Sequence, residues 1–262
     1  AASALILAAC GSSGEGGTDA GDGQTAAGDS AYGLAKDGVL VVGTEGTYRP
    51  FSYHEGGSGE LVGYDIEVVE AVAEKLDLDI EYQETQWDAI FAGLEAGRFD
   101  VIANQVSINP EREEQYLFSE PYTVSPGVIV VANDTTDITG LADLEGKTTA
   151  QSLTSNWGTI ATGAGANVEA VEGWAQSVAL LEQGRVDATV NDKLTFLDYT
   201  TVNPDSPVKI AAELDEASLN AFAFGKDKTE LVAAFDEALA ELEADGTLAE
   251  LGEKYFGADV SN

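Results

Sequence analysis

The sequence predicts an α/β fold of two similar lobes, an expectation carried by strand-like runs alternating with helical periodicity, by an internal repeat, and by a length that admits two compact units. The chain has 262 residues, enough for one broad domain or two smaller ones. From Val39 onward, Val39-Leu40-Val41-Val42, Val101-Ile102-Ala103, Val128-Ile129-Val130-Val131 and Val186 to Val190 read as strands. In Asp65 to Leu76, the residues Ile66, Val69, Val72, Ala73 and Leu76 share one helical face, as Leu231, Ala234, Phe235, Ala238 and Leu242 do later. Both stripes are read as core.

The repeat begins at Trp87. Trp174, Ala179, Leu181, Glu182, Gly184, Arg185, Asp187 and Asn191 answer Trp87, Ala92, Leu94, Glu95, Gly97, Arg98, Asp100 and Asn104 at a constant offset. Each copy reads as an amphipathic helix stopped by a glycine, which takes the left-handed conformation readily, followed directly by an apolar strand. Ligands of open α/β sheets bind beyond the carboxyl ends of the strands. Asn104, Gln105 and Ser107 in one copy, and Asn191 and Asp192 in the other, are therefore expected at ligand-facing edges that line one cleft if the lobes face each other. Shared architecture without a shared site is the competing explanation.

Composition narrows the function. Hydrophobic residues make up 44% of the chain, a globular value, and no apolar run is long enough to span a bilayer. The 47 acidic residues against 12 basic ones give a formal charge of −35, which repels phosphate backbones and anionic headgroups and excludes nucleic acid as a partner. Such a surface serves either general solubility or dispersal in concentrated salt. With one cysteine, Cys10, and one histidine, His54, there is no internal disulfide, no Cys/His metal cluster and no Ser/His/Asp or Cys/His nucleophile set. The phosphate-cradling GxxxxGK[ST] pattern is absent too, so no metal and no cofactor is expected.

At the beginning, Leu5-Ile6-Leu7-Ala8-Ala9 stops at Cys10, so residues 1–10 read as the end of a signal peptide without its charged start. Leu7-Ala8-Ala9-Cys10 resembles the bacterial lipoprotein lipobox, which implies a lipid anchor on Cys10; a chance cysteine in a generic signal sequence is the alternative. Residues 11–35, rich in Gly, Ser, Ala, Asp and Thr, are expected to form a flexible leash between membrane and body.

A free amino acid needs a cation for its carboxylate, an anion for its ammonium and a desolvated wall for its side chain. Arg112 follows the Ser107-Ile108-Asn109-Pro110 turn, and its planar fork suits a carboxylate, with Ser107 as a second donor. It is equally readable as a surface residue paired with Glu111, Glu113 or Glu114. Asp192 suits the ammonium, or caps the helix from Lys193, or does both. Tyr48 and Trp87 suit aromatic walls, although the repeat partner Trp174 gives Trp87 a structural alternative.

The string GYDIEVVEAVAEKL at Gly63 to Leu76 resembles the signature of family 3 extracellular solute-binding proteins, the polar amino-acid binders of ABC importers. Gly43-Thr44-Glu45 with Pro50-Phe51, Phe99-Asp100-Val101, and Asn109-Pro110-Glu111-Arg112 leading to Phe118-Ser119 extend the likeness over about Val39 to Phe256. The resemblance implies a periplasmic-binding-protein type II fold, two lobes joined by two hinge strands near Tyr122 to Val128 and Leu219 to Phe224. Lobe 1 would hold residues 36–124 and 223–262, and lobe 2 residues 125–222.

Carried over by position, Arg112 and Ser107 match the family's carboxylate binders, Asp192 its ammonium binder, and Tyr48 and Trp87 its side-chain walls. Ala103 to Val106, with Asn104 and Gln105, and Gln151 to Asn156, with Thr154 and Asn156, look most like cystine binders. Ser107 stands where several relatives carry Thr, and Ser152 where many place a basic residue, so a neutral or zwitterionic ligand fits better than glutamate.

The implied protein is a monomeric binding lipoprotein, periplasmic or on the cell surface, that closes on an amino acid and delivers it to an ABC permease and its ATPase. An enzyme resembling cyclohexadienyl dehydratase is the alternative on the same fold, and a sensor that passes closure to a separate receptor is a third reading. A salt-adapted surface predicts that melting temperature and solubility fall when ionic strength is lowered; equal stability at very low salt in a melting series leaves general solubility as the reading.

Overall fold

The computed structural model describes residues 31–261; Cys10, the signal remnant and most of the leash lie outside the described residues. Residues 31–35, assigned to the leash by composition, belong instead to the folded body. Leu34 packs in the main core, and the Ala35 N–H donates to Asp100 Oδ1 at 2.9 Å.

The elements in chain order are β1 (Val39–Thr44), β2 (Thr47–Tyr48), β3 (Ser52–His54), β4 (Leu61–Val62), α1 (Tyr64–Lys75), β5 (Asp79–Glu84), α2 (Trp87–Glu95), β6 (Val101–Ser107) and α3 (Pro110–Glu113). They continue with β7 (Leu117–Phe118), β8 (Thr123–Ala132), β9 (Thr148–Gln151), α4 (Asn156–Gly163), β10 (Asn167–Ala170), α5 (Trp174–Glu182) and β11 (Ala188–Asp192). The last are α6 (Lys193–Val202), β12 (Val208–Phe224), α7 (Thr229–Asp245) and α8 (Thr247–Phe256).

The main sheet runs β10-β9-β11-β8-β12-β6-β1-β5. Its flanks, β6-β1-β5 and β10-β9-β11, are parallel, as βα units require. Between them, β8 and β12 pair antiparallel from Val208 opposite Ala132 to Asn220 opposite Thr123. These two strands join two lobes that have separate cores. One side packs Leu40, Val42, Val69, Phe222 and Phe235, with Val41, Ile90 and Ile102 beneath α2. The other packs Val128, Val130, Trp174 and Leu181, with Ile129, Trp157 and Val190 on its opposite face. This is the two-lobed α/β architecture with paired hinge strands that the sequence predicts.

The repeat is visible atom by atom. Gly97 and Gly184 end their helices at φ 65° and 67°, and their N–H groups reach Leu94 O and Leu181 O at 2.9 Å each. Asp100 then clasps Val41: its N–H reaches Val41 O at 2.8 Å, and its Oδ2 accepts from Val41 N at 3.1 Å. Asp187 treats Thr148 the same way, at 2.8 Å for both bonds. This clasp explains why β11 starts at Ala188 rather than at the expected Val186: residue 187 is already committed to the neighbouring strand.

The two clasps differ in burial. Asp100 is 1% exposed and also holds Lys228 Nζ at 3.0 Å, whereas Asp187 is exposed. Removing one partner of a buried pair leaves an uncompensated charge, so Asp100→Ala should cost about 3–5 kcal/mol in denaturant unfolding. Asp187→Ala, which loses exposed bonds, should cost about 1 kcal/mol.

Candidate functional site

The carboxyl ends of β1, β6, β9 and β11 meet across the two lobes at a cavity of about 350 Å³, within the range of small-ligand sites. From the strand ends come Glu45, Asn104, Gln105, Gln151 and Asn191. The first turns of α2, α4 and α5 supply Gln86 and Trp87, Asn156 and Trp157, and Gly173 to Ser177. All three tryptophans of the chain line this space. Neither α2 nor α5 has a capping bond from its N-cap side chain; at α2 the Glu45 carboxylate takes the Trp87 N–H, whereas the start of α5 carries no such carboxylate and suits an anion. The lining contains the carboxylates Glu45 and Glu172 but no lysine, arginine or histidine.

Gln105 organises the floor. It sits near the end of β6 with φ 49°, unusual for a side-chain-bearing residue, beside the register shift where β12 pairs β6. Bulges of this kind re-aim side chains next to sites. Its N–H donates to the Asp65 carboxylate, and its Nε2 reaches Asp192 Oδ2 at 3.4 Å.

Asp192 is fully buried and also accepts from Ser125 Oγ at 2.7 Å and from Leu194 N at 2.8 Å, the latter as N-cap of α6. Burial pushes its carboxyl up to about 6 against those stabilising bonds, and pushes Asp65 up to about 7. Glu45, half-buried, is likewise raised to about 7 by desolvation, opposed by the bond from Asn104 Nδ2 at 2.6 Å.

Arg112 is 7% exposed and is the one buried basic side chain among the described residues. Its Nη1 donates to Ser107 O at 2.8 Å, and its guanidinium lies 5.2 Å from the ring centroids of both Trp87 and Phe91. No carboxylate of the described residues pairs with it, so the expected local pairing with Glu111, Glu113 or Glu114 does not occur; desolvation lowers its pKa to about 10.

Of the residues expected at the ligand, Tyr48, Trp87, Asn104, Gln105 and Asn156 line the cavity, and Ser107, Arg112, Thr154 and Asp192 do not. Arg112 stands behind Trp87 and Asp192 behind Gln105. Ser107 Oγ is bonded to Asn220 Oδ1 at 2.9 Å. Thr154 Oγ1 is turned to Asp88 Oδ1 at 2.5 Å. Tyr48 already bridges the lobes, its hydroxyl donating to Asn191 Oδ1 at 2.9 Å. Sequence reasoning assigned no ligand role to Glu45, Trp157, Glu172 or Trp174. The repeat held a signal for Trp174, since it answers Trp87.

The chain belongs to the bacterial extracellular solute-binding proteins, family 3, which it matches over residues 40–258. It is similar to the L-cystine-binding protein TcyA of Bacillus subtilis, 50% identical over 234 residues, 89% of this chain and 87% of that protein. Among solved structures it is similar to the L-cystine solute receptor of Neisseria gonorrhoeae in its unliganded open conformation: 52% identity, TM-score 0.59, 86% of this chain and 95% of that one. An ancestral arginine-binding protein bound to arginine gives 36% identity, TM-score 0.78, 84% of this chain and 99% of that one. The ligand-bound structure superposes better despite its lower identity, in keeping with lobes that stand closed on each other here.

Asp65, Asp192 and Glu45 titrate higher in the folded chain than at their ordinary values near 4. Between those values and pH 6–7 the folded state therefore holds more protons than the unfolded one, and the stability they contribute is lost as pH rises through that window. Ligand-free melting temperature should be higher at pH 5.5 than at pH 8. Asp192→Asn, which keeps an N-cap, should remove part of the slope in a melting series.

Proposed function

We propose that this chain is the lipid-anchored, extracytoplasmic binding subunit of an ABC amino-acid importer, closing on a free amino acid and performing no chemistry on it. The observation that carries this reading is Arg112, a guanidinium buried without a carboxylate partner in a chain with 47 acidic residues. A desolvated, unpaired charge is expensive, and although Arg112 does not itself line the cavity, a ligand carboxylate held on the cavity side of Trp87 would be the counter-charge that lowers this cost. Asp192 and Glu45 are buried or half-buried acids suited to ammonium groups. In the proposed division, lobe 1 comprises residues 36–124 and 223–262 and lobe 2 residues 125–222, so that Arg112 and Asp192 lie in different lobes and the ligand binds by joining them.

Cystine is the favoured ligand. It carries an ammonium and a carboxylate at each end, and the cavity offers a carboxylate from each side, Glu45 and Glu172, with the uncapped start of α5 beside Glu172. An acidic side chain finds no basic residue in the lining, which argues against glutamate. The likeness to TcyA supports the same choice. Tyr48, Trp87, Asn104, Gln105 and Asn156 would touch the ligand directly, with Ser107 holding Arg112 through its carbonyl. The lipid on Cys10 would keep the body near its permease.

A micromolar complex is worth roughly 8 kcal/mol, so a single buried charge pair is a large share of it. A thermal-shift screen of amino acids should give its largest rise with L-cystine. Arg112→Ala should weaken that binding by about 2–5 kcal/mol in calorimetry, and undiminished affinity would remove Arg112 from the site.

A further inference from the structure

Besides the contact of Gln105 with Asp192, three sets of bonds cross between the lobes, the first of them through Tyr48 and Asn191, which line the cavity. Tyr48 joins Asn191 and accepts from Thr195 Oγ1 at 3.1 Å. Asp88 Oδ1, in the first turn of α2, accepts from Ser152 Oγ at 2.8 Å and from Thr154 Oγ1 at 2.5 Å in the loop after β9. Arg49 grips Asp198 on α6 with a two-pronged pair, Nε to Oδ2 at 2.9 Å and Nη2 to Oδ1 at 3.3 Å, while lying 4.2 Å from the centroid of the Tyr53 ring. Neither Asp88 nor Arg49 lines the cavity, and both are exposed, so neither is needed for the core of its own lobe.

We infer that Asp88 and Arg49 are latch residues that set ligand affinity by stabilising the closed form, without touching the ligand. The inference rests on the binding function proposed above. Both contacts exist only when the lobes meet, so each favours the closed over the open form by its own free energy, and apparent affinity scales with the closed population. A ligand enclosed between lobes leaves only after they part, so the latches act mainly on the dissociation rate.

The two latches differ chemically. The Asp88 latch is a carboxylate accepting two hydroxyl bonds, which is charge-assisted but involves no ion pair. The Arg49–Asp198 latch is an ion pair with a half-exposed guanidinium, worth less and screened by salt. Thr154, expected at the ligand from the sequence, is in this geometry part of the first latch.

The test uses the whole chain with L-cystine as probe, and measures dissociation constants, dissociation rates and lobe distance. Lobe distance is read by single-molecule fluorescence transfer between dyes on Glu74→Cys and Asp205→Cys in a Cys10→Ser background. Asp88→Ala should raise the dissociation constant roughly tenfold, nearly all of it in the dissociation rate. Thr154→Ala should add little on top of it, because the two share one bond. Arg49→Gln should raise the constant by about threefold at low salt and by less in concentrated salt. In each variant the ligand-free distance distribution should shift toward the open form, with the melting temperature of the body nearly unchanged.

Unchanged dissociation rates and distances in both variants overturn the latch. A slower association rate with unchanged dissociation also overturns it, because that pattern marks an encounter effect. If the wild-type chain binds no amino acid, the proposed function fails, and the ligand-free distances then decide the latch alone.

Discussion

The site is organised by the desolvation of ionisable groups that have no counter-charge of their own. Arg112, Asp65, Asp192 and Glu45 make no ion pair with one another or with any other described side chain. Trp87 stands between the guanidinium and the cavity, and Gln105 links two of the carboxylates through its own N–H groups. A hydrogen bond to the Ser107 carbonyl, and hydrogen bonds from Ser125, Leu194 and Gln105, hold these groups in place but do not neutralise them. A fold that buries charges this way is less stable than one with an apolar cleft.

What allows the fold to carry that deficit is the separation of its cores. Each lobe packs most of its aliphatic and aromatic side chains on its own flank of the sheet; β8 and β12 run through both, Leu194 of α6 joins the first core, and Tyr48 touches a core on each side. The cleft can therefore carry buried polar and ionisable groups among its aromatic walls without weakening either core. The clasps of Asp100 on Val41 and Asp187 on Thr148 fix where the parallel strands begin, which in turn fixes where β6 and β11 end and deliver Gln105 and Asn191. The same local device thus serves fold and function in both halves of the repeat.

Much of this was legible in the sequence because it was written in periodicity and in glycine. The buried strands β1, β6, β8 and β11 announce themselves as β-branched runs, and Gly97 and Gly184 mark the helix ends of the repeat. The strands that pass unnoticed are of another kind. β5 and β10 are sheet edges; β5 sets exposed Asp79, Glu81 and Glu84 among half-buried residues, where the charge that protects an edge from pairing also hides it, and β10 is only four residues, Asn167-Val168-Glu169-Ala170. β9 reads Thr148-Thr149-Ala150-Gln151, too short and polar to signal a strand.

In the site, the strand-end argument identified Asn104 and Gln105, but it could not foresee that side chains one layer back are held there by partners far away in sequence: Arg112 behind Trp87, Asp192 behind Gln105. Glu172 lies in a loop with no motif, and Trp157, in the first turn of α4, follows the Gln151 to Asn156 stretch by one position and passes unnoticed.

That closing has its own energetics, distinct from ligand contact. A ligand shifts the lobes only by the difference between its contacts in the two arrangements. Every bond the protein makes across the cleft without the ligand raises affinity and slows release in the same step. An importer needs capture and surrender alike, so strong latches would defeat delivery and absent ones would defeat capture at low concentration. The contacts found here are moderate in kind: hydroxyls on an exposed carboxylate, a partly exposed ion pair, a tyrosine shared between an amide and a threonine. They are strong enough to tip the balance between open and closed forms, and weak enough to leave it reversible.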